Sequence, residues 1–561
     1  MKRCPECCRD YYDDSLLYCL DDGSALLEGP ASADESPTAI LSGPDSTKNE
    51  ISGLTTGTGT LLSKSSRPKR YLLVAFLLLV AIGLGGFFAY RYFAPTKQIE
   101  SIAVMPFVNE SGNPDFESLS DGITESLINS LSQIPGISVK ARSSVFTYKG
   151  RTVSTQQVAQ DLGVQAVLNG RILQRGDQVL MNVEMVDAST GNQIWGDQYT
   201  RQSADLLKLQ SEIASDVSKK LKARLTGAES QKVARNYTEN TEAYHLYLRG
   251  RYYWNRRTAD DIKKSVDYFQ QAIDKDPTYA LAYAGLAEAY ILMSSYGAAS
   301  PKESFPKARV AASKAIEMDP SLAEAHNALA SVLGSYDWKF AEAEAEWRNT
   351  LALNPNYASG RQWYAEHLLF TGRYSEGIEE MKRAQELDPL SLIINGLVGV
   401  AYRMNGQNDQ ALEQLTKTLE LDPNFPRTHL FLAETYQAMG QYEKAVDEFA
   451  RCFILLGIPA EKVNPATALV KEKYRTAGPK GYSRAMAEMI EANQSAPSEA
   501  PKTVMASYWG AAGEFDKAFA LLEKGFEEHD DDMLMIKDPR MGALKSDPRY
   551  NDLLRRMGLP E

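Results

Sequence analysis

The sequence predicts a multidomain chain: an α-solenoid preceded by a small α/β domain, one transmembrane helix and a short cysteine-rich head. Three observations carry this. Proline recurs after an acidic or amide residue at Pro277, Pro320, Pro355, Pro389 and Pro423, in steps of 43, 35, 34 and 34 residues. Tyr71–Tyr90 is a run of 20 residues without a charge. Between these features, residues 98–225 mix short apolar β-branched runs with amphipathic stripes.

At 561 residues the chain has room for several cores. Its net charge of -12 argues against nucleic acid as the main partner, because phosphate binding calls for a basic face.

The head is residues 1–27. Cys4, Cys7, Cys8 and Cys19 crowd its start, and Cys452 stands alone far away. That clustering fits metal ligation in a reducing compartment better than a disulfide framework. Cys4-x2-Cys7 is followed by Cys19-x2-Asp22. Zinc takes four ligands in a tetrahedron, and a CxxC knuckle supplies two thiolates at the right bite. The pattern resembles a short zinc ribbon, which implies Zn held by Cys4, Cys7, Cys19 and Asp22. Asp22 stands where a fourth cysteine is usual. Two readings stay open, a Cys3Asp site and a degenerate ribbon without metal. The surrounding acidic residues favour protein contact over nucleic acid.

Residues 28–70 are rich in Gly, Ser, Thr, Pro and Asp and show no periodicity, the composition of a disordered tether. Residues 71–93 follow as the span. Twenty residues at about 1.5 Å rise cover roughly 30 Å, the thickness of bilayer hydrocarbon. Lys64, Arg67, Lys69 and Arg70 precede the run, whereas Arg91 and Lys97 follow it. The balance predicts a single pass in the inner (cytoplasmic) membrane, N-terminus in the cytoplasm and C-terminal domains outside it.

Residues 98–225 read as β-α-β-α-β-β-β-α. "SIAVMPF" is a strand candidate, and Leu119, Ile123, Leu127, Leu131 and Ile134 form a helical stripe. Ser154 and Gln157 have capping-box spacing before another helix. "AVLNGRIL", "QVLMNVEMVDASTG" and "NQIWGDQY" alternate as strands. "IAVMPFVNESGNPDFESLSDGITESLINSLSQ", "QDLGVQAVLNGRIL" and "VDASTGNQIWGDQY" resemble the TolB amino-terminal-like domain of bacterial membrane-anchored signalling proteins. That resemblance implies a non-catalytic domain followed by a repeat array. The residues agree on chemistry: there is no phosphate-binding glycine loop, no HExxH and no nucleophile elbow, and none of the five histidines falls in this segment. The carboxylates Asp115, Glu117, Asp121 and Glu125 suit a helix N-terminus.

A 34-residue period of paired helices is that of the tetratricopeptide repeat. Small residues sit where two helices must cross: Ala287 and Ala308, Ala365 and Gly377, Gly399 and Ala411, Ala433 and Ala445. Gly372, Gly406 and Gly440 turn the chain inside each hairpin, and the Asp-Pro or Asn-Pro pair ends one repeat and opens the next. Six repeats cover 243–456. Residues 457–561 read as degenerate repeat-like helices with a C-terminal cap.

Such an array presents its first helices as a concave groove. By register the groove carries Asn327, Ser331, Gln362, Glu366, Arg403, Arg427, Glu434 and Gln437. The predicted function is a non-catalytic, membrane-anchored scaffold or sensor, with proteins or peptides as partners and no small-molecule substrate. Two alternatives stand beside it: a signalling or transcription regulator whose ribbon contacts nucleic acid, and a cyclase-associated regulatory protein.

Overall fold

The computed structural model describes residues 2–3, 10–11, 27–28, 99–113, 116–221, 226–233, 235, 237–492 and 502–560. The chain forms two compact units, Met1–Ala94 and Pro95–Glu561. In the first, β1 (Lys2–Arg3) pairs antiparallel with β2 (Asp10–Tyr11) and with β3 (Leu27–Glu28). The expected zinc ligands Cys4, Cys7, Cys19 and Asp22 lie outside the described residues, as does the apolar run 71–90. Among the described residues, no helix is long and apolar enough to cross a membrane.

The second unit opens with β4 (Ser101–Val104) and β5 (Val108–Asn109), then α1 (Glu117–Ser132) and β6 (Ser138–Val139). Two short helices follow, α2 (Arg142–Phe146) and α3 (Thr155–Leu162). A meander of three ten-residue strands comes next: β7 (Ala166–Arg175), β8 (Gln178–Asp187) and β9 (Gln193–Gln202). The helices α4 (Leu206–Leu221) and α5 (Gly227–Val233) close the region. The sheet order is β6-β4-β7-β8-β9, with β5 also on β7. β4 runs parallel to β6 and β7, while β7, β8 and β9 are antiparallel. Ser154 caps α3, its hydroxyl accepting from the Gln157 amide, and Gly163 ends the helix in the left-handed region.

Six helical hairpins follow: α6 (Thr241–Asn255) with α7 (Ala259–Lys275), α8 (Ala280–Ser295) with α9 (Pro301–Met318), α10 (Ala323–Ser335) with α11 (Phe340–Leu353), α12 (Ala358–Phe370) with α13 (Tyr374–Leu387), α14 (Leu392–Met404) with α15 (Asn408–Leu421), and α16 (Pro426–Ala438) with α17 (Tyr442–Leu455). The small crossing residues are fully buried, among them Ala287, Ala308, Ala365, Ala411, Ala433 and Ala445. Gly399 shows why size matters: a Cβ there would lie 2.6 Å from Leu415 Cγ. Gly399→Ala is expected to cost about 1–3 kcal/mol by overpacking, read as a lower urea midpoint at unchanged slope.

A second rule ties each repeat to the next. Six residues after the punctuating proline, a side chain donates back to that proline's carbonyl. His326 Nε2 reaches Pro320 O at 3.0 Å, Arg361 Nε reaches Pro355 O at 3.0 Å, Asn395 Nδ2 reaches Pro389 O at 2.8 Å and His429 Nε2 reaches Pro423 O at 3.0 Å. Both histidines are further fixed through Nδ1, at Glu346 and Glu448. They are turn clamps. Cys452 is buried late in α17, and burial pushes its thiol up to about 11, so it stays protonated and inert.

The hairpin turns hold a departure. In five of the six hairpins the residue before the second-helix cap takes positive φ, and it is glycine at Gly372, Gly406 and Gly440. In the first and third hairpins it is Arg257 and Trp338, both at φ 55°. A bulky side chain there costs roughly 1–2 kcal/mol.

Beyond the hairpins, α18 (Ala460–Ala492) breaks at Gly478, and α19 (Lys502–Ala512) pairs with α20 (Phe515–Glu528). Two 3₁₀ turns, Asp531–Lys537 and Pro539–Leu544, lead to α21 (Pro548–Arg556).

The α/β region is not a separate bead. Its core is continuous with the first three hairpins, running from Ile102 and Leu127 through Tyr244 and Phe269 to Val332. A Cβ on Gly122 of α1 would meet Leu248 of α6 at 2.7 Å. Farther along the array, Lys140 Nζ donates to Glu386 O at 2.6 Å and the Ala141 amide to Leu387 O at 2.9 Å. Asn356 Nδ2 donates to Ser132 O at 2.9 Å and Ile137 O at 2.8 Å. The repeats therefore curve around this region.

Candidate functional site

The first helices of all six hairpins line a cavity of about 750 Å³. Its walls include Trp254, Ile291, Ser331, Trp363, Val400 and Phe431. α1 and α2 close one side with Glu125, Ile128, Arg142 and Ser143, and the C-terminal 3₁₀ turn closes another with Asp531, Leu534 and Met535. That volume and its mixed lining, apolar side chains interspersed with charged ones such as Glu125, Arg251 and Arg403, suit a small ligand or a short chain segment.

The C-terminal segment holds part of the groove for itself. Arg403 is 2% exposed and lies 3.1 Å from Asp538 and 3.2 Å from Glu434. Arg540 pairs with Glu434 at 2.6 Å and Asp538 at 2.9 Å. Burial alone would raise the Asp538 carboxyl; Arg403 and Arg540 instead hold it far below the carboxylate range. The hydroxyls of Tyr482 and Tyr508 each donate to Gln437 Oε1 at 3.1 Å. Trp338 stacks on Phe526 and His529, with centroids 4.9 and 4.8 Å away, which accounts for its strained turn.

At the opposite end, Glu125 joins the two regions. Arg251 reaches it at 2.7 Å, Arg142 at 3.1 Å and Asn255 Nδ2 at 2.7 Å. Burial pushes its carboxyl up, but Arg251 and Arg142 more than offset this and keep it ionised. Arg251 also binds Glu288 at 2.8 Å, and Tyr357 donates to Glu288 at 2.5 Å. Sequence placed Glu125 among helix-start acids; it is instead the partner of an arginine 126 residues away.

Of the groove residues named from register, Ser331, Gln362, Glu366, Arg403, Arg427 and Glu434 line the cavity. Asn327 is fully buried and accepts from Trp347 Nε1 at 3.2 Å, and Gln437 serves the two tyrosines. Gln362 donates to Glu366 at 2.9 Å, and burial raises the Glu366 carboxyl. Register did not find Trp254, Arg257, Trp363 or the α1–α2 wall. A non-glycine in the turn-glycine slot was the available signal for Arg257.

Asp530, Asp531 and Asp532 crowd together at the rim, their carboxylates within 4.8 Å of one another. Lys502 pairs with Asp530 at 2.7 Å and Glu528 at 2.8 Å, and Ser294 donates to Asp531 at 3.3 Å. Burial first and neighbouring aspartates second raise Asp531 to about 6 and Asp532 to about 8. Unfolded, both titrate near 3.9. The folded state therefore holds protons that the unfolded state releases, and stability falls as pH rises from about 4 to about 8. The urea midpoint should be lower at pH 8.5 than at pH 5, and Asp532→Asn should remove most of that difference.

Comparison with known proteins bears on both regions. Tetratricopeptide-repeat family models match residues 339–391 and 402–451. The solenoid is a tetratricopeptide-repeat array. Residues 97–216 match the second domain of HilA/YgeH-like transcriptional regulators, where the sequence had suggested a TolB-like domain. The chain is 32% identical over 246 residues to the protein named "Putative adenylate cyclase 3" from Rhizobium meliloti, covering 44% of this chain and 42% of that one. It is 19% identical over 299 residues to Transcriptional regulator HilA of Salmonella typhimurium, covering 53% and 52%. The chain thus spans about half the length of the curated relatives it matches. Among solved structures, TTC0263 of Thermus thermophilus aligns with TM-score 0.30 at 15% identity, covering 35% of this chain and 98% of its own. Pseudomonas aeruginosa pilF aligns with TM-score 0.28 at 20% identity, covering 50% and 98%.

Proposed function

We propose that this protein is a non-catalytic, membrane-anchored scaffold or sensor that binds polypeptide segments on the concave face of its repeat array. The carrying observation is the cavity walled by the first helices of all six hairpins, with aromatic side chains and few unpaired charges. The tetratricopeptide fold is generally non-catalytic. An extended segment of a few residues fills a space of this size, with main chain meeting polar groups such as Gln362 and side chains meeting Trp363 and Phe431. The apolar run 71–90 would anchor the chain in the inner membrane, and Cys4, Cys7, Cys19 and Asp22 would hold zinc in a cytoplasmic head.

Panning a random peptide display library on the full chain tests this. Enriched peptides should be retained by the wild type and lost on Trp363→Ala. Peptides held equally by both proteins place the binding surface elsewhere and overturn the reading.

The match of residues 97–216 to a transcriptional-regulator domain favours a second reading, in which binding is coupled to nucleic acid through the head. A gel shift of the full chain at low salt separates the two. Salt-sensitive retardation supports the regulator, and none supports the scaffold.

A further inference from the structure

Two of the cavity arginines, Arg257 and Arg427, form no ion pair among the described residues, and Arg257 is the one stacked on an aromatic ring. Arg142, Arg251 and Arg403 are each paired with carboxylates. The Arg257 guanidinium carbon lies 3.7 Å from the Trp254 ring centroid, a ring that Arg251 also approaches at 4.3 Å, and among the described residues Arg257 shows no ion pair or hydrogen-bond acceptor. The acid nearest in charge terms, Glu288, is already held by Arg251 and Tyr357. Its surroundings lower the Arg257 pKa, burial outweighing the raising effect of Tyr296 and Glu288. Its backbone sits in the left-handed region that glycine takes in three later turns. Trp338, the other exception, uses its side chain to hold the C-terminal segment. Arg257 packs on Trp254 within its own hairpin, and its strained turn delivers a guanidinium into the cavity wall.

We propose that Arg257, stacked on Trp254, is the anchoring subsite for a carboxylate carried on an apolar body. This rests on the proposed concave-face binding and names the ligand's charge and character. A planar guanidinium supplies a fork of donors matched to a carboxylate, and contact with the indole holds it in place. Trp254 beneath it, and Ile291, Tyr296 and Phe305 in the same cavity, offer apolar surface for the rest of the ligand. Two sources share this chemistry, a free organic acid and the terminal carboxylate of an apolar peptide.

The test is calorimetric titration of the full chain with three probes: decanoate, N-acetyl-Leu-Leu-Phe as the free acid, and the same peptide as its amide. Wild type should bind at least one acid, and the peptide acid, if it binds, at least tenfold tighter than the amide. Arg257→Gly should abolish acid binding or its advantage while raising the thermal midpoint, because glycine relieves the turn. A merely structural arginine would lower that midpoint. Arg257→Gln, which keeps the turn strained, should lose the acids without gaining stability. Acid and amide bound alike would overturn the carboxylate subsite while leaving polypeptide binding intact. Decanoate bound through Arg257 with neither peptide bound would uphold the subsite and remove the polypeptide reading. Failure of all three probes, or acid binding undiminished in Arg257→Gly, would overturn the proposal.

Discussion

Arg403→Met is expected to lower the unfolding free energy by about 3–5 kcal/mol and to release the C-terminal segment from the array. Arg403 lies between two carboxylates that have almost no other route to solvent, Asp538 at 1% and Glu434 at 7% exposure. Arg540 remains to serve both, but one guanidinium cannot balance two buried anions. The depressed Asp538 pKa means that this network stabilises the fold above the unfolded aspartate value near 3.9 and loses its contribution as pH falls through and below that value. The variant should therefore resemble the wild type more closely in acid than at neutral pH. Hydrogen exchange should quicken first in residues 531–544, with Tyr374, whose hydroxyl donates to Lys537 O at 3.0 Å, losing its partner. Unchanged exchange there would mean that apolar contacts from Met533, Ile536 and Leu544 hold the segment alone.

Glu125→Ala should cost about 3 kcal/mol at the other end of the cavity. It leaves Arg251 with only Glu288 and deprives Arg142 of its partner, putting excess positive charge into a buried junction. Because α1 and α6 share one core there, the penalty should appear as looser docking of the α/β region and weaker protection of α6. Glu125→Gln keeps the shape and removes the charge, so a similar loss in both variants would assign the effect to electrostatics.

The repeat array was legible because its physics is local and periodic. Helices that cross closely need Ala or Gly at fixed places, and Pro277 to Pro423 mark the joints. The β-α alternation of residues 98–225 was legible for the same reason, through strand runs such as "AVLNGRIL" and the Ser154 cap. Two things were not. Register identifies which residues face the groove but not what fills it, so Arg403, Glu434 and Gln437 looked available when residues from Tyr482 to Arg540 already engage them. Nor does periodicity show that the array folds back on the α/β region, because the contacts of Lys140 and Asn356 join segments more than 200 residues apart. The proline-carbonyl clamp was written in the sequence at His326, Arg361, Asn395 and His429, but three different residue types hide a shared role.

A bound polypeptide should lie along the cavity wall. A photo-crosslinking amino acid placed at Trp363, in the cavity wall, and separately at Val310, which is 71% exposed on a second helix of the array, reads this directly by mass spectrometry. A peptide selected on the wild-type chain should be captured from position 363 and not from 310. Capture from 310 alone would contradict that placement.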